Sequence, residues 1–134
     1  MGIEVFGNLR ELNYLSIMVR LILALLCGGI IGFDREKKGR PAGFRTHILV
    51  CIGSALVMIT SQFIISVLKI DTDPTRMGAQ VISGIGFLGA GTILTTSKQH
   101  VKGLTTAAGL WACSSMGLAI GIGFYEGAIL GCVF

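Results

Sequence analysis

The fold is decided by the stretch GFDREKKGRPAGFRTH, residues 32–47, because it gathers charge between two apolar runs. Seven of the 18 Asp, Glu, Lys and Arg residues of the chain lie between Asp34 and Arg45. Clustered charge lies in water or at a membrane surface, whereas long apolar runs dissolve in lipid. The stretch is therefore predicted to be the turn of a membrane helical hairpin.

The composition supports a single membrane domain over residues 1–134. Apolar residues make up 52% of the chain and charged residues 13%, and the mean hydropathy is +0.79. Soluble domains carry about 25% charged residues. The predicted class is an all-α polytopic transmembrane helix bundle. The formal net charge of +4 lies in loops beside apolar spans, which indicates contact with lipid headgroups and not with nucleic acid.

The apolar runs predict four full helices and the start of a fifth. The predicted ranges are 12–33, 46–68, 74–94 and 104–124, followed by 128–134 as the start of a truncated fifth helix. A membrane-spanning helix requires about 20 residues, so the last run is too short to cross a bilayer. A shift of 60 residues aligns several glycines and threonines, and this allows two parallel helical-hairpin repeats.

The loop charges predict the orientation. Residues 34–45 contain five bases and two acids, and residues 95–102 contain two bases and no acid. Cytoplasmic loops carry an excess of Lys and Arg. We therefore expect both loops to be cytoplasmic and the N-terminus to lie outside.

Several polar residues near the spans are candidate functional residues. Arg20 interrupts the first span, and its guanidinium either reaches the near headgroups or pairs inside the bundle. Asp34 ends that span and is expected to pair with Arg35 or Arg45, the default for a carboxylate near hydrocarbon. Arg76 and Gln80 form a polar stripe at the entrance of the third helix.

Small residues predict where helices pack. The pattern G-x-G-x-x-G at residues 84–89 is not a nucleotide-binding fingerprint, because no strand precedes it and it lies inside an apolar span. Its glycines favour close helix packing, with a broken helix as the alternative. The predicted packing residues are Gly28, Gly32, Gly84, Gly86, Gly89, Gly91, Gly109, Cys113, Gly117 and Gly121. The four cysteines are interpreted as packing residues, since no C-x-x-C pair occurs.

Nothing in the sequence indicates catalysis. The two histidines, His47 and His100, lie in different loops, and His47 is interpreted as an interfacial residue at a helix start. No acidic cluster offers the oxygen ligands that Mg²⁺ requires. We therefore expect a protein that is not an enzyme and that has no catalytic residues, cofactor or metal site.

Five sequence blocks resemble the MgtC/SapB family of bacterial inner-membrane proteins. They are RLILA at 20–24, GFDRE at 32–36, RPAGFRTH at 40–47, GIGFLGAGTI at 84–93 and GLTTAA at 103–108. The resemblance implies a multi-pass protein of the bacterial inner membrane with about five helices. It also implies a role in adaptation to low magnesium, intracellular survival (virulence) and restraint of the proton-driven ATP synthase. Asp34, Arg45 and Thr46 match the acidic position and the Arg-Thr pair of the family.

Two functions remain open from the sequence. In the first, the chain is a regulatory membrane protein that binds a membrane partner, such as the ATP synthase membrane sector, and it also forms a homo-oligomer in the lipid bilayer. In the second, it is a small transporter or channel for Mg²⁺ or another ion, with Arg20, Asp34 and Gln80 along the path. The first is favoured because the spans contain no inward-facing acid.

Overall fold

The computed structural model describes residues 7–95 and 101–133 and confirms an all-α membrane bundle. Three of its helices, Tyr14–Lys37, Phe44–Ser66 and Leu104–Ile122, are long and apolar enough to cross a membrane. Residues 96–100 of the predicted second cytoplasmic loop lie outside the described residues. The elements are α1 (Tyr14–Lys37), α2 (Phe44–Ser66), α3 (Arg76–Thr92), β1 (Leu94–Thr95), β2 (Val101–Lys102), α4 (Leu104–Ile122) and α5 (Tyr125–Val133).

The first helix extends one turn beyond its predicted end. The prediction ended the helix at residue 33, before the charged stretch, but α1 continues to Lys37. Arg35, Glu36 and Lys37 are good helix formers, and bases in the last turn interact favourably with the helix dipole. The chain leaves the helix where Gly39 adopts a left-handed conformation with φ of 65°. The predicted loop 34–45 therefore begins with a helical turn.

The third helix begins two residues later than predicted. The prediction placed Asp73 at the N-cap and the start at residue 74, whereas α3 begins at Arg76. The Asp73 carboxylate accepts hydrogen bonds from the backbone N–H of Thr75 at 2.9 Å and from its hydroxyl at 2.7 Å. Residues 74 and 75, which the prediction included in the helix, therefore form a short turn closed by the Asp73 side chain. Asp73 thus stabilises the approach to the helix.

Acidification is expected to weaken this turn. The hydrogen bonds from Thr75 lower the pKa of the Asp73 carboxyl below its ordinary value of 3.8. Its contribution to stability is therefore present above pH 3.8 and is lost as the pH falls through the lower folded-state pKa. Thermal unfolding at pH 7 and pH 3 measures the effect: the melting temperature should fall more between these two pH values in the parent than in Asp73→Asn. The asparagine side chain keeps a hydrogen-bond acceptor but does not titrate. An equal loss in both proteins would contradict this assignment.

The start of α4 at Leu104 agrees with the prediction, and the remaining helix ends differ from it by two or three residues. The helix α2 runs from Phe44 to Ser66 and not from 46 to 68, and α3 ends at Thr92 because the chain then enters the β1–β2 hairpin. The helix α4 ends at Ile122 because Gly123 adopts a left-handed conformation with φ of 88°. This tight turn lets α5 begin at Tyr125, before the predicted residue 128.

The core lies where α1, α2 and α4 meet. The helix α3 packs on α4 and α2, and α5 packs on α4 and α1. The buried cluster consists mostly of small side chains: Ala24, Cys27, Cys51, Ala55, Cys113, Ile120 and Ala128. Small residues let helix backbones approach closely, which is how helices associate in lipid. All four cysteines are free, and three of them are buried in this core.

The bundle has two distinct ends. We call the end with the α1–α2 turn and the β-hairpin the basic end, and the other, with the α2–α3 loop and the α4–α5 turn, the opposite end. The Sγ of Cys113 donates to the carbonyl of His47 at 3.3 Å, which places the first half of α4 beside the start of α2. The hydroxyl of Ser61 donates to the carbonyl of Pro74 at 3.0 Å at the opposite end. The helix α3 therefore runs from the opposite end to the basic end.

The two hairpins make close contacts at equivalent positions. A Cβ at Gly32 would lie 2.9 Å from the carbonyl oxygen of Gly43, where α1 meets the start of α2. Sixty residues later, a Cβ at Gly103 would lie 1.9 Å from the carbonyl oxygen of Thr92, where α3 meets α4. Both hairpins thus close through the same pair of positions, as the predicted repeat requires.

Candidate functional site at the basic end

The basic end brings together the two charged connections, which the loop charges had predicted on the same side of the membrane. Arg40, from the α1–α2 turn, lines a polar cavity of about 470 Å³ together with Lys102 and the first turn of α4. Lys37, Lys38, Arg40, Arg45 and Lys102 are all exposed at this end. The end therefore presents a positively charged surface with few acids, Asp34 and Glu36.

Asp34 is exposed and pairs with a different base from those predicted. Its Oδ2 lies 3.1 Å from Nζ of Lys38, one turn along the same chain. The expected pairing with Arg35 or Arg45 is a wrong prediction, because α1 stays helical and places Lys38 over Asp34 at the i, i+4 position. Exposed pairs of this kind contribute only about 0–1 kcal/mol, so the carboxylate remains available to a ligand or partner.

Asp34 and Arg35 also border a second cavity, of about 410 Å³. Its other walls are apolar residues of α1, α4 and the end of α5, including Ile30, Met116 and Cys132. Arg35 is half-buried there. The cavity therefore has a charged rim and an apolar interior.

His47 lies near the start of α2, at the helix start to which the sequence assigned it, and its side chain is buried inside the bundle. Its Nδ1 donates to the carbonyl of Gly43 at 2.8 Å, which leaves Nε2 as an acceptor in the neutral ring. Within the described residues, Nε2 has no hydrogen-bond partner. A Cβ at Gly109 would lie 3.8 Å from Nε2 and 3.9 Å from Nε of Arg35, so the ring and the guanidinium face the same gap. No charge pattern in the sequence indicated that His47 lies near Arg35.

Arg45 and Thr46 lie in the first turn of α2. Arg45 is exposed, and Thr46 is half-buried. Among the described side chains, neither forms an ion pair or a hydrogen bond with Asp34. The three residues share the basic end, but they do not form one contact cluster.

Arg20 lies at the opposite end and is completely buried. Its Nε donates to Oη of Tyr125 at 3.2 Å, and Nη1 donates to Oε1 of Gln62 and to the carbonyl of Gly121 at 2.8 Å. Its Nη2 donates to the carbonyls of Leu9 at 3.1 Å and Arg10 at 2.8 Å. The interpretation in which Arg20 reaches the headgroups is therefore wrong, and pairing inside the bundle is correct.

The partners of Arg20 explain how a buried charge is tolerated. Gly121 lies in the last turn of α4, and Leu9 and Arg10 lie in the last positions of the helical turn 7–10. Carbonyls at helix C-termini carry the negative end of the helix dipole. Arg20 thus joins two helix ends and needs no carboxylate partner.

The proposed ion path is not formed by the described residues. Asp34 lies 14 positions after Arg20 on the same helix, which corresponds to about 21 Å along its axis. Gln80 and Arg76 are exposed on α3, on the outer surface of the bundle. Arg20, Asp34 and Gln80 therefore lie in different parts of the bundle, and none of five grooves and cavities among the described residues brings two of them together.

The predicted packing glycines divide into two groups. An added Cβ would meet backbone or neighbouring side chains at Gly28, Gly32, Gly89, Gly109, Gly117 and Gly121, and Cys113 is fully buried beside them. At Gly84, Gly86 and Gly91 it would meet nothing within 4 Å. Gly84 lines an apolar groove of about 440 Å³ between α2 and α3, and none of the last three makes a close packing contact within this chain. The alternative of a broken helix is excluded, because α3 is continuous from Arg76 to Thr92.

No metal centre is formed by the parts of the chain that the structure describes. Among residues 7–95 and 101–133, no three His, Cys, Asp or Glu side chains lie close enough together to hold an ion. The Asp34 carboxylate pairs with Lys38 and belongs to no such group. A hydrated cation would find a single anionic ligand there.

The sequence profile of the MgtC family matches residues 21–134, which include most of the bundle and the whole basic end. The chain belongs to the MgtC family. It is 46% identical over 120 residues to the "Putative magnesium transporter YhiD" of Escherichia coli K12, covering 87% of this chain and 55% of that protein. No solved structure matches it.

Two other relatives are similar to this chain over nearly the same region. Protein SapB of Bacillus subtilis is 40% identical over 123 residues, which are 89% of this chain and 53% of SapB. Protein MgtC of Brucella abortus is 44% identical over 111 residues, which are 83% of this chain and 44% of that protein. The chain spans about half the length of these relatives.

Proposed function

We propose that this chain is the membrane bundle of a non-enzymatic regulator that binds a membrane partner through its basic end. The observation that carries the proposal is Arg20, which fills the opposite end with a fully bonded positive charge. A fixed positive charge inside a bundle opposes the passage of cations. The exposed surface at the basic end, by contrast, is free to bind.

The charge of the basic end indicates what it binds. Six bases and two acids lie there: Arg35, Lys37, Lys38, Arg40, Arg45, Lys102, Asp34 and Glu36. The ion pairs of the described chain use only Lys38 among these bases. A partner with an acidic surface near the membrane would complement them. The excess of bases also supports a cytoplasmic location for this end, with the N-terminus outside.

Family membership supplies the biological setting of the proposal. The relatives include proteins named MgtC, and resemblance to the family implied adaptation to low magnesium, virulence and restraint of the ATP synthase. We therefore propose the bacterial inner membrane as the location and the ATP synthase membrane sector as the partner. Asp34, Arg45 and Thr46 are the residues through which the basic end would make specific contacts.

Proton pumping tests the regulatory proposal. In inverted membrane vesicles, the parent protein is expected to reduce ATP-driven proton uptake, and Asp34→Ala and Arg45→Ala are expected to restore it. Both side chains are exposed, so their removal should leave the fold intact. Asp71→Ala removes an equally exposed acid from the opposite end and should still reduce uptake. Pumping that is unaffected by the parent protein would sink the proposal.

A magnesium transporter is the second candidate, favoured by the printed name of the YhiD relative. Liposomes that contain only this protein and a Mg²⁺-sensitive dye distinguish the two. The regulatory proposal expects no uptake above that of empty liposomes. Uptake that Asp34→Ala abolishes and Asp71→Ala preserves would establish transport instead.

A further inference from the structure

The outward face of α3 is an unused surface with a regular pattern. Five exposed residues follow one another at spacings of four and three, and we call them the α3 seam: Arg76, Gln80, Ser83, Phe87 and Ala90. The opposite face of α3, with Gly78, Ile85 and Gly89, packs into the bundle. Spacings of four and three are those with which one helix packs along another in a coiled coil.

The polarity of the seam does not fit contact with lipid. Gln80 lies about 6 Å and Ser83 about 10 Å along the axis from the start of α3 at Arg76. Gly78, two residues before Gln80, packs against Met58 of α2 and Leu118 of α4, so Gln80 and Ser83 lie level with apolar parts of two helices that are long enough to span a membrane. Polar side chains at this depth usually hydrogen-bond to another helix. Neither side chain has a hydrogen-bond partner among the described residues.

The shape of the seam is complementary to itself. Phe87 is 85% exposed and stands out from the helix. Gly84, Gly86 and Gly91 surround it on the same helix, and an added Cβ at each would meet nothing within 4 Å. A projecting ring next to shallow glycine surfaces allows one copy to place its ring against the glycines of another.

The charges at the end of the seam are also self-complementary. Lys69, Asp71, Asp73 and Arg76 are exposed in and after the α2–α3 loop. Within residues 7–95 and 101–133, no ion pair joins any of them. Two bases and two acids in one short segment allow each copy to offer an acid to a base of the other. A strongly basic or acidic rim would instead repel a second copy.

We infer that the α3 seam binds the α3 seam of a second copy of this chain in the same membrane. Copies inserted with the same orientation are related by a two-fold axis along the membrane normal, so each contact between two different residues occurs twice and only residues near the axis, Gln80 among them, meet their own copies. Gln80 then lies opposite Gln80, and an amide both donates and accepts hydrogen bonds. Asp73 of each copy lies near Arg76 of the other. This inference names the surface of the predicted homo-oligomer and does not involve the basic end.

Cysteine cross-linking in native membranes tests the geometry. The four native cysteines are replaced by serine or alanine, and single cysteines are introduced at residues 80, 83, 87 and 90. Oxidation is expected to give cross-linked dimers at these positions. Cysteines at Ile82, off the seam on α3, and at Leu25 on α1 are matched controls, since both residues are similarly exposed. Dimers that form at the controls and not at the seam would overturn the inference.

Dilution in lipid tests the energetics. Single-molecule photobleaching at decreasing protein-to-lipid ratios measures self-association, and Gln80→Leu is expected to weaken it about three- to tenfold, as loss of an interhelical hydrogen bond does. Thr60→Leu is the control, because Thr60 is also exposed but bonds only to its own helix at the carbonyl of Leu56. A protein that stays monomeric at all ratios, or a seam that cross-links only to another membrane protein, would refute the inference.

The two proposals fail separately. A monomeric protein that still reduces proton pumping would refute the seam and leave the regulatory function intact. A protein that dimerises through the α3 seam but leaves proton pumping unchanged would refute the regulatory function and leave the seam intact.

Discussion

Replacing Arg20 with methionine is expected to lower the free energy of unfolding by about 3–5 kcal/mol. Methionine fills part of the space but donates no hydrogen bond. The carbonyls of Leu9 and Arg10 keep other donors, Tyr125 and Gln62 among them. The carbonyl of Gly121 and Oε1 of Gln62 lose the donor that Arg20 gives them. Two acceptors are then left unsatisfied at the junction of three helices.

Titration with a denaturing detergent, followed by the fluorescence of Trp111 or by circular dichroism, measures this loss. Arg20→Lys should lie between the parent and Arg20→Met, because one ammonium cannot reach all five acceptors. Arg10→Ala is the matched control, since it removes an exposed arginine whose ion pair with Glu126 contributes only about 0–1 kcal/mol. If Arg20→Met were as stable as Arg10→Ala, the guanidinium network would not hold the opposite end together.

The same residue shows what the sequence could predict. Its position two turns into an apolar span marked Arg20 as unusual and left two interpretations. Deciding between them required the partners, and Gln62, Gly121 and Tyr125 are separated from Arg20 by 42 to 105 positions. All five acceptors are neutral groups whose role depends on the fold, so no charge pattern could have indicated them. The apolar runs themselves, which depend only on local composition, predicted the helices well.

The basic end was also predicted only in part, because charge is visible in the sequence whereas contacts that depend on the fold are not. Charge counts were sufficient to place residues 34–45 and residue 102 at one end of the bundle. They were not sufficient to predict the Asp34–Lys38 pair, which depends on α1 continuing through the charged stretch. His47 was missed because one histidine beside a basic turn resembles any interfacial histidine. Only the packing of α4 through Gly109 shows that its ring is enclosed.

Glycine patterns indicated which helix faces can pack closely. They did not show whether a face packs against a helix of the same chain or is left open to another molecule. The glycines of α3 and α4 look alike in sequence. The structure encloses Gly117 and Gly121 of α4 and leaves Gly84 and Gly91 of α3 open. A sequence shows that a helix face carries small residues, whereas the three-dimensional structure shows whether another part of the same chain covers that face. The open group is the one that led to the α3 seam.

Replacing Gly117 with alanine is expected to lower the free energy of unfolding by about 1–3 kcal/mol, the usual effect of overpacking. The added methyl group would lie 2.4 Å from the carbonyl oxygen of Cys51 and 2.8 Å from Cβ of Ser54. Because the first of these contacts is with the backbone of α2, a change of rotamer cannot relieve it. The helices α2 and α4 must move apart, which also loosens the buried core between them. The same detergent titration measures the effect.

Two further variants make this result specific to the α2–α4 contact. Gly121→Ala meets the backbone of Ala55 at 2.4 Å, and the double variant should lose less than the sum of the two, since one separation of the helices relieves both clashes. Gly53→Ala on α2 meets nothing within 4 Å and should instead stabilise the protein by about 0.5–1 kcal/mol, because alanine favours a helix over glycine. Opposite signs at Gly117 and Gly53 require that α2, and not lipid, covers the small-residue face of α4 that carries Gly117 and Gly121. Equal effects at both positions would mean that the two helices do not touch there.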